Sequence, residues 1–249
     1  MNHDFDLITH KFPADMPELH IYPVGDTQVG SANFNERLFL NWRDRVKNDP
    51  LAKVVIVGDM LNNGVKSGKT NVYKEKKSPS EAKMWLFHAL QPIADKIIGC
   101  VTGNHEWRSI NDVDDDPLYD IMCMLGLQDF YGENIQFLKI SVGSRNQNRQ
   151  VAYTMVLGHG VSKNKTEQFG YTIDGMDVLV TGHIHIPYSR FPAKIVIDTH
   201  NEVIRKVGFT HIVVPSFDEF GGYTVRGMYQ PQDSTKIPVI ILNGKEKEV

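Results

Sequence analysis

Three short apolar runs in the first half of the chain each end at a polar cluster. The runs span residues 19–24, 53–57 and 97–101, and Asp, Asn or His follows each of them within four positions. Continuous aliphatic and β-branched runs of this length, stopped by glycine and polar residues, are typical of buried strands. We therefore predict three buried strands that each lead into a polar loop.

Helical periodicity follows each of these strands. Apolar residues recur every three or four positions over 34–47, 80–94 and 117–125, and Ser80 is the expected N-cap of the second helix. Alternating strands and helices predict a largely parallel sheet covered by helices, with functional side chains in the loops beyond the carboxyl ends of the strands. We expect the three polar clusters to meet at one edge of this sheet.

The second half of the chain carries many strand patterns and fewer helices. These patterns cover 135–142, 151–157, 178–181, 194–197, 203–207, 211–214 and 237–242. They predict a second sheet that packs face to face with the first. The expected fold class is α/β (α+β), as a two-sheet β-sandwich flanked by helices.

No internal repeat or linker marks a domain boundary, so one domain over residues 1–249 is expected. Within it, residues 1–18 are read as an N-terminal leader segment, and residues 188–249 are expected to complete the second sheet. Chains of about 200 to 250 residues commonly form one domain when sheets are involved.

Composition places the chain among globular proteins and leaves the substrate open. The chain has 41% hydrophobic and 23% charged residues and a formal net charge of -3. A polyanionic substrate would need a local basic patch or a bound metal to attract it. The acidic start of the chain lacks a secretory pattern, and 18 uninterrupted apolar residues occur nowhere, so we expect a cytoplasmic protein without a membrane partner.

Five polar clusters carry the candidate chemistry, and each combines a glycine with residues that bind metals. Carboxylate and amide oxygens and imidazole nitrogens are ligands of Mg²⁺, Mn²⁺, Fe²⁺ and Zn²⁺. Five strand ends that bring such groups together would form a polydentate site. The clusters are Gly25-Asp26-Thr27-Gln28, Gly58-Asp59-Met60-Leu61-Asn62-Asn63, Gly103-Asn104-His105-Glu106, Gly158-His159-Gly160 and Gly182-His183-Ile184-His185.

In this order the clusters resemble the calcineurin-like metallophosphoesterase superfamily. Its pattern is Asp-x-His, Gly-Asp, Gly-Asn-His-Asp/Glu, Gly-His and Gly-His-x-His, and the resemblance covers residues 19–187. The segments GDMLNNG and GNHEWR also resemble the corresponding motifs of small, cap-less family members from bacteriophages and their bacterial hosts. The resemblance implies a four-layer αββα architecture, in agreement with the strand and helix pattern.

The resemblance implies a role for each residue of the clusters. One metal would be bound by Asp26, Gln28 and His185, the other by Asn104, His159 and His183, and Asp59 would bridge the two. His105 would be the catalytic histidine that binds no metal, and Glu106 the acid that orients it. A hydroxide that bridges the two metals would then attack phosphorus.

Gln28 departs from the family pattern, which has histidine at this position. An amide oxygen is a harder ligand than imidazole and favours Mn²⁺ over Zn²⁺, with Mg²⁺ or Fe²⁺ as further alternatives. The second interpretation is that Gln28 hydrogen-bonds a metal-bound water.

A lysine-rich stretch follows Asp59 closely. Residues 64–70 end like a phosphate-binding loop, but only three residues separate Gly64 from Gly68 where that motif requires four. A nucleotide-binding loop is therefore excluded. The stretch is interpreted either as a solvated loop or as a contact for substrate phosphate, and Arg108 is a further candidate for phosphate binding. The lysines are Lys66, Lys69, Lys74, Lys76 and Lys77.

We expect a metal-dependent phosphohydrolase that acts on phosphodiesters such as nucleic acid or nucleotides. This expectation rests on the basic stretch, the absence of a large cap insertion and the analogy with nuclease relatives. A phosphomonoesterase for small molecules or phosphoproteins is the alternative with the same chemistry. A catalytically silent module that only binds metal is the alternative from another class, and Gln28 is the feature that favours it.

Overall fold

The computed structural model describes residues 5–66, 68, 72–146, 149–226, 228, 230–231 and 236–249. Its strands are β1 (Leu7–Lys11), β2 (Glu18–Val24), β3 (Ala52–Val57), β4 (Ile97–Val101), β5 (Tyr131–Gly132), β6 (Ile135–Asn146), β7 (Arg149–Gly158), β8 (Val178–Thr181), β9 (Tyr188–Arg190), β10 (Ala193–Asp198), β11 (Val203–Gly208), β12 (Thr210–Val213) and β13 (Ile240–Asn243). Its α-helices are α1 (Glu36–Asn48), α2 (Pro79–Leu90), α3 (Glu106–Val113), α4 (Pro117–Met124), α5 (Lys163–Gly170) and α6 (Tyr223–Arg226).

The strands form two large sheets and one separate hairpin. One sheet has the order β13-β2-β3-β4-β5, and the other has the order β1-β6-β7-β8-β12-β9. Strands β2, β3, β4 and β5 run parallel, whereas β13 joins β2 antiparallel. The predicted α/β class with two mixed sheets and flanking helices is confirmed.

Two buried layers hold the sheets and helices together. Because successive side chains of a strand point to opposite faces, β3 serves both layers. Val55 and Val57 pack between the two sheets, whereas Val54 and Ile56 pack against the helices. All four side chains are fully buried, and each contributes about 1.5 to 3 kcal/mol by leaving water. Burial on both faces explains why the run lacks alternating polar residues.

The two terminal segments are divided among the sheets. Within residues 1–18, β1 pairs parallel with β6 at the edge of the six-stranded sheet. The segment 188–249 supplies strands to both large sheets and forms the hairpin. Strands β9 and β12 extend the six-stranded sheet, β13 joins the five-stranded sheet, and β10 pairs with β11. Among the described residues, no helix has the length and hydrophobicity needed to cross a lipid bilayer.

Two helix predictions need correction. The N-cap of α2 is Ser78, not Ser80, because Ser78 forms a capping box with Glu81 and places Pro79 at the first helical position. Helix α3, which begins directly after His105, was not predicted from the sequence. Its short length and its overlap with a polar motif hid the helical period, yet this helix positions the catalytic candidates.

Candidate metal centre

The five predicted clusters meet at one edge of the sandwich, where strands of both sheets end. The His159 ring follows β7 and its Nδ1 lies 2.7 Å from the carbonyl oxygen of Val57, the last residue of β3. The backbone N–H of His183, which follows β8, donates to Asp26 Oδ2 at 2.8 Å, and Asp26 follows β2. The site is therefore built across the two sheets.

Glycine is required at two of these strand ends because their backbones nearly touch. A Cβ atom on Gly58 would lie 2.5 Å from the backbone nitrogen of Gly103, and Gly58 also has a φ of +78°. A Cβ atom on Gly103 would overlap the backbone nitrogen and the carboxylate of Asp59. The close approach of the chain after β3 and after β4 is therefore the physical reason for the glycine at position 103.

Replacement of Gly103 by alanine is expected to destabilise the protein by about 3 kcal/mol or more, because the new methyl group meets backbone that cannot rotate away. Thermal or urea unfolding of the metal-free protein measures this change. Gly158→Ala is the matched control, since a Cβ atom there has no neighbour within 4 Å. A loss of stability as small as that of the control would contradict the steric explanation.

Asp59 lies at the centre of the site and is fully buried. Its Oδ1 accepts a hydrogen bond from the backbone N–H of His105 at 2.7 Å. Its Oδ2 lies 3.3 Å from Nε2 of His159 and accepts from Nε2 of Gln28 at 3.3 Å. Burial alone would raise the pKa of Asp59, but the neighbouring His159 and His105 rings hold it well below its usual value. The carboxylate is thus ionised and shared by several ligand-type side chains.

A first group of ligand atoms surrounds this carboxylate. Asn104 Oδ1 lies 3.1 Å from Nε2 of His159 and 2.6 Å from Nδ1 of His183. The two ring nitrogens are 3.3 Å apart, and together with an oxygen of Asp59 they fall within 4.8 Å of one another. This is the group that the sequence analysis assigned to the second metal.

A second group lies around Asp26. Its Oδ1 is buried and accepts no hydrogen bond in this structure, although Nε2 of His185 lies 3.2 Å away. Gln28 is buried nearby and donates to Asp59, so its amide nitrogen rather than its oxygen faces the carboxylate here. A half-turn of the amide exchanges the two atoms and would present the oxygen.

The backbone at these positions is strained in a consistent way. Non-glycine residues at positive φ cost roughly 1 to 3 kcal/mol each and cluster at functional sites. Five of the seven predicted metal ligands adopt this conformation. They are Asp26 (φ 49°), Gln28 (φ 54°), Asp59 (φ 50°), His183 (φ 70°) and His185 (φ 56°).

These residues fit a bound cation. A carboxylate oxygen buried without a hydrogen bond costs free energy unless another group, such as a metal ion, satisfies it, and Asp26 Oδ1 is such an atom. The carbonyl of Val57 holds a proton on Nδ1 of His159 and leaves Nε2 directed at the cluster. Although burial opposes protonation, the charge of Asp59 raises the pKa of His159 to about 10, so a cation at Nε2 competes with a proton.

His105 lies beside this cluster with its Nε2 3.6 Å from Asp59 Oδ2. Its Nδ1 is 2.9 Å from the carbonyl oxygen of Asn62, which also accepts a hydrogen bond from Nη1 of Arg108 at 2.9 Å. Burial lowers the pKa of His105 to about 4, against the opposing charge of Asp59. From the sequence, Asn62 is either a contact for substrate or a metal-bound water or a turn residue, and the use of its backbone carbonyl leaves no signal in side-chain motifs.

The predicted contact between Glu106 and His105 is wrong. Glu106 is fully buried, and its carboxylate accepts hydrogen bonds from the backbone N–H groups of Asp59 at 2.9 Å, Leu61 at 2.9 Å and Gly103 at 3.1 Å. It therefore ties the ends of β3 and β4 together. Burial, assisted by the charge of Asp59, raises the pKa of Glu106 to about 7.

The lysine-rich stretch is only partly described, since Ser67, Lys69 and Thr70 lie outside the described residues. Lys77 forms an ion pair with Glu36 at 3.1 Å and lies over the ring of Trp85. The Nζ of Lys76 donates to the carbonyl oxygen of Phe34. Lys77 is thus held against α1 and α2, and Lys76 against the segment before α1, rather than against the carboxylate of Asp59.

Two solved structures are similar in outline at low sequence identity. A predicted phosphoesterase from Streptococcus pneumoniae TIGR4, described as a conserved uncharacterized protein, shares 14% identity over 83% of this chain and 78% of that chain, with a TM-score of 0.36. A metallophosphoesterase from Sphaerobacter thermophilus shares 13% identity over 82% of this chain and 80% of that chain, with a TM-score of 0.40. No curated protein matches the chain.

A family model described as calcineurin-like phosphoesterase matches residues 19–187. The matched segment includes all five clusters, from Asp26 to His185, and covers more than half of the chain. The chain therefore belongs to the calcineurin-like phosphoesterase family, whose members hydrolyse phosphoesters in a metal-dependent reaction.

Proposed function

We propose that the protein is a phosphodiesterase or nuclease that uses two divalent cations, with Mn²⁺ favoured over Mg²⁺, Fe²⁺ and Zn²⁺. The observation that carries the proposal is the convergence of two groups of ligand atoms on one buried carboxylate, that of Asp59. Like-charged cations can lie close together only when anionic ligands neutralise them, and a shared carboxylate between two groups meets this need.

Three side chains would hold each cation, and Asp59 would contact both. Asp26, Gln28 and His185 form one set, and Asn104, His159 and His183 form the other. When bound, the cations would neutralise phosphate charge and lower the pKa of water so that a nucleophile is available at neutral pH. Oxygen atoms supply much of the first set, which is the reason to favour Mn²⁺.

His105 would donate a proton to the oxygen that leaves phosphorus. The carbonyl of Asn62 fixes the tautomer through Nδ1, so Nε2 is the atom that faces the reacting group. An anionic phosphoester beside Nε2 favours the protonated imidazole and opposes the effect of burial on its pKa. Arg108 lies on the same side and supplies positive charge for a phosphate oxygen.

The open rim of the site supports a diester substrate. Asn104 is exposed and His183 and His185 are only half-buried, so the ligand cluster faces solvent. A chain-like substrate requires such access on both sides of the phosphorus atom.

Hydrolysis of bis-p-nitrophenyl phosphate and of p-nitrophenyl phosphate tests this proposal. In the presence of Mn²⁺ we expect kcat/KM for the diester to exceed that for the monoester at least about tenfold, and chelator to abolish both activities. Mg²⁺ and Zn²⁺ provide the metal comparison. Preference for the monoester would instead support a phosphatase, and metal binding without turnover under any cation would support a silent binding module.

A further inference from the structure

An apolar cavity of about 340 Å³ opens directly beside Asn104 and His159. It lies on the outer face of the six-stranded sheet, where Val156 and Leu179 form a small buried cluster with partly buried Ile135 and Ile173 around them. The cavity therefore joins the candidate metal centre to an apolar surface that neither catalysis nor metal binding requires.

Two elements of the fold bound this cavity. On one side lies Gly158, at the end of β7, where the space is empty because a Cβ atom would meet no atom within 4 Å. Helix α5 bounds the opposite side, and the Thr166 hydroxyl anchors its start by accepting a hydrogen bond from the backbone N–H of Val161 at 3.1 Å. The lining includes two aromatic side chains, Trp107 and Phe169, and the polar residues Glu133 and Lys165 at its edge also belong to it.

The volume and lining suit a planar aromatic group. An apolar cavity of roughly 150 Å³ is large enough to hold benzene, so the space beside His159 accommodates one or two fused rings. Aromatic side chains stack on planar aromatic ligands, and the strength of stacking depends little on which ring the ligand carries. Phe169 is 58% exposed, which leaves its ring available to a ligand.

The position of the cavity indicates which part of a substrate it would bind. His105, which donates a proton to the leaving oxygen in the proposed function, and Arg108, which contacts a phosphate oxygen there, lie together at the carbonyl of Asn62. Neither residue lines the cavity, whereas Asn104 and His159 do. A group in the cavity is thus attached to the phosphate on the side away from the departing oxygen.

We propose that this cavity binds an aromatic ring on the ester group that stays attached to phosphorus, such as the base of a nucleoside. The inference rests on the proposed phosphodiesterase function and narrows its substrates to diesters with an aromatic retained group. A phosphomonoester has no retained ester group and would leave the cavity unused.

Three diesters with the same p-nitrophenyl leaving group test the inference by turnover. Their retained groups are methyl, phenyl and thymidine 5′-yl, and the last two distinguish a simple aryl ring from a nucleobase. With Mn²⁺ we expect kcat/KM for at least one ring-bearing ester to exceed that for the methyl ester about tenfold. Equal values for all three would overturn the inference while leaving the phosphodiesterase proposal intact.

Phe169→Ala should lower kcat/KM for the preferred ring-bearing ester about tenfold and leave the methyl ester within about twofold. Phe169→Tyr keeps the ring and should restore the preference. Phe191→Ala is the matched control, because Phe191 is another exposed aromatic residue, 76% accessible and outside the cavity. Equal losses for both esters in Phe169→Ala would assign Phe169 a structural role only and would contradict the inference.

A binding measurement separates the inference from the proposed activity. Calorimetric titration of the Mn²⁺-loaded protein with diphenyl phosphate and dimethyl phosphate should give about tenfold tighter binding of the aryl ester, lost in Phe169→Ala. If none of the three diesters is hydrolysed, the phosphodiesterase proposal fails. The comparison of the two affinities then still tests whether the cavity binds an aromatic ring. Equal affinities for the two phosphates would then reject it.

Discussion

Replacement of Asp59 by asparagine is expected to lower turnover at least about a thousandfold and to reduce metal binding at both proposed positions. The side chain keeps its shape but loses the charge that two cations would share. In a buried site such a charge cannot be replaced by solvent, because water is excluded from the carboxylate. Loss of both metals removes the activated water and the neutralisation of phosphate together.

Asparagine also changes the hydrogen bonds at this position. Oδ1 of Asp59 accepts from the backbone N–H of His105, while Oδ2 faces nitrogen atoms of Gln28 and His159. An amide has one oxygen and one NH₂ group, so it cannot accept on both sides. The variant therefore presents an NH₂ group on one side, and Gln28 must turn its amide or His159 must lose the proton on Nε2 to accept from it, which changes the arrangement of the ligands even without metal.

Mn²⁺ bound per chain, measured by equilibrium dialysis, and kcat/KM for bis-p-nitrophenyl phosphate test the effect of Asp59→Asn. Asp49→Asn is the matched control, since Asp49 also contacts a histidine, with 2.7 Å between its Oδ2 and His20 Nδ1, yet lies outside the site. The control should keep wild-type metal content and turnover. Two Mn²⁺ ions bound to Asp59→Asn with unchanged affinity would rule out a bridging role for Asp59.

The position of the site could be predicted from the sequence because a local pattern encodes it. Each of the runs 19–24, 53–57 and 97–101 is buried on both faces and ends at the edge where its polar residues are needed. Parallel pairing then brings the ends together without further information. The strand from Ile97 to Val101 agrees with its prediction at both ends.

The contacts that refine the site could not be predicted in this way. The carboxylate of Glu106 reaches backbone N–H groups just beyond the ends of β3 and β4, and the partner of His105 is the carbonyl oxygen of Asn62. Every residue has backbone N–H and C=O groups. Whether one of them accepts or donates a hydrogen bond in the site depends on how two loops are placed, so the residue types in the sequence do not reveal it. The resemblance to a family supplied the identity of the acid but not its hydrogen-bond partners.

The apolar cavity was also hidden from sequence reasoning. Its lining comes from β7, β8, α3 and α5 and includes the buried residues Val156 and Leu179. In the sequence these residues belong to ordinary strand patterns. The cavity results from where α5 packs on the sheet, which is a property of tertiary structure.

Replacement of His105 by alanine is expected to leave metal binding intact and to lower turnover about a hundredfold to ten-thousandfold for substrates with poor leaving groups. His105 directs Nδ1 at the carbonyl of Asn62 and holds Nε2 3.6 Å from Asp59 Oδ2, and it lies outside the group of ligand atoms formed by Asp59, His159 and His183. A proton from Nε2 is needed most where the leaving oxygen is strongly basic. p-Nitrophenolate is a stable anion and leaves without receiving a proton. Bis-p-nitrophenyl phosphate should therefore be the substrate that His105→Ala affects least.

A series of aryl methyl phosphodiesters whose phenols differ in pKa measures this dependence. The logarithm of kcat/KM should fall more steeply with the pKa of the leaving phenol in His105→Ala than in the wild-type protein. Added imidazole should restore part of the turnover for the most basic leaving groups, because the largely buried space left by the side chain lies beside the reacting oxygen. A uniform loss across the series, with no effect of imidazole, would show that His105 positions the substrate and does not donate the proton.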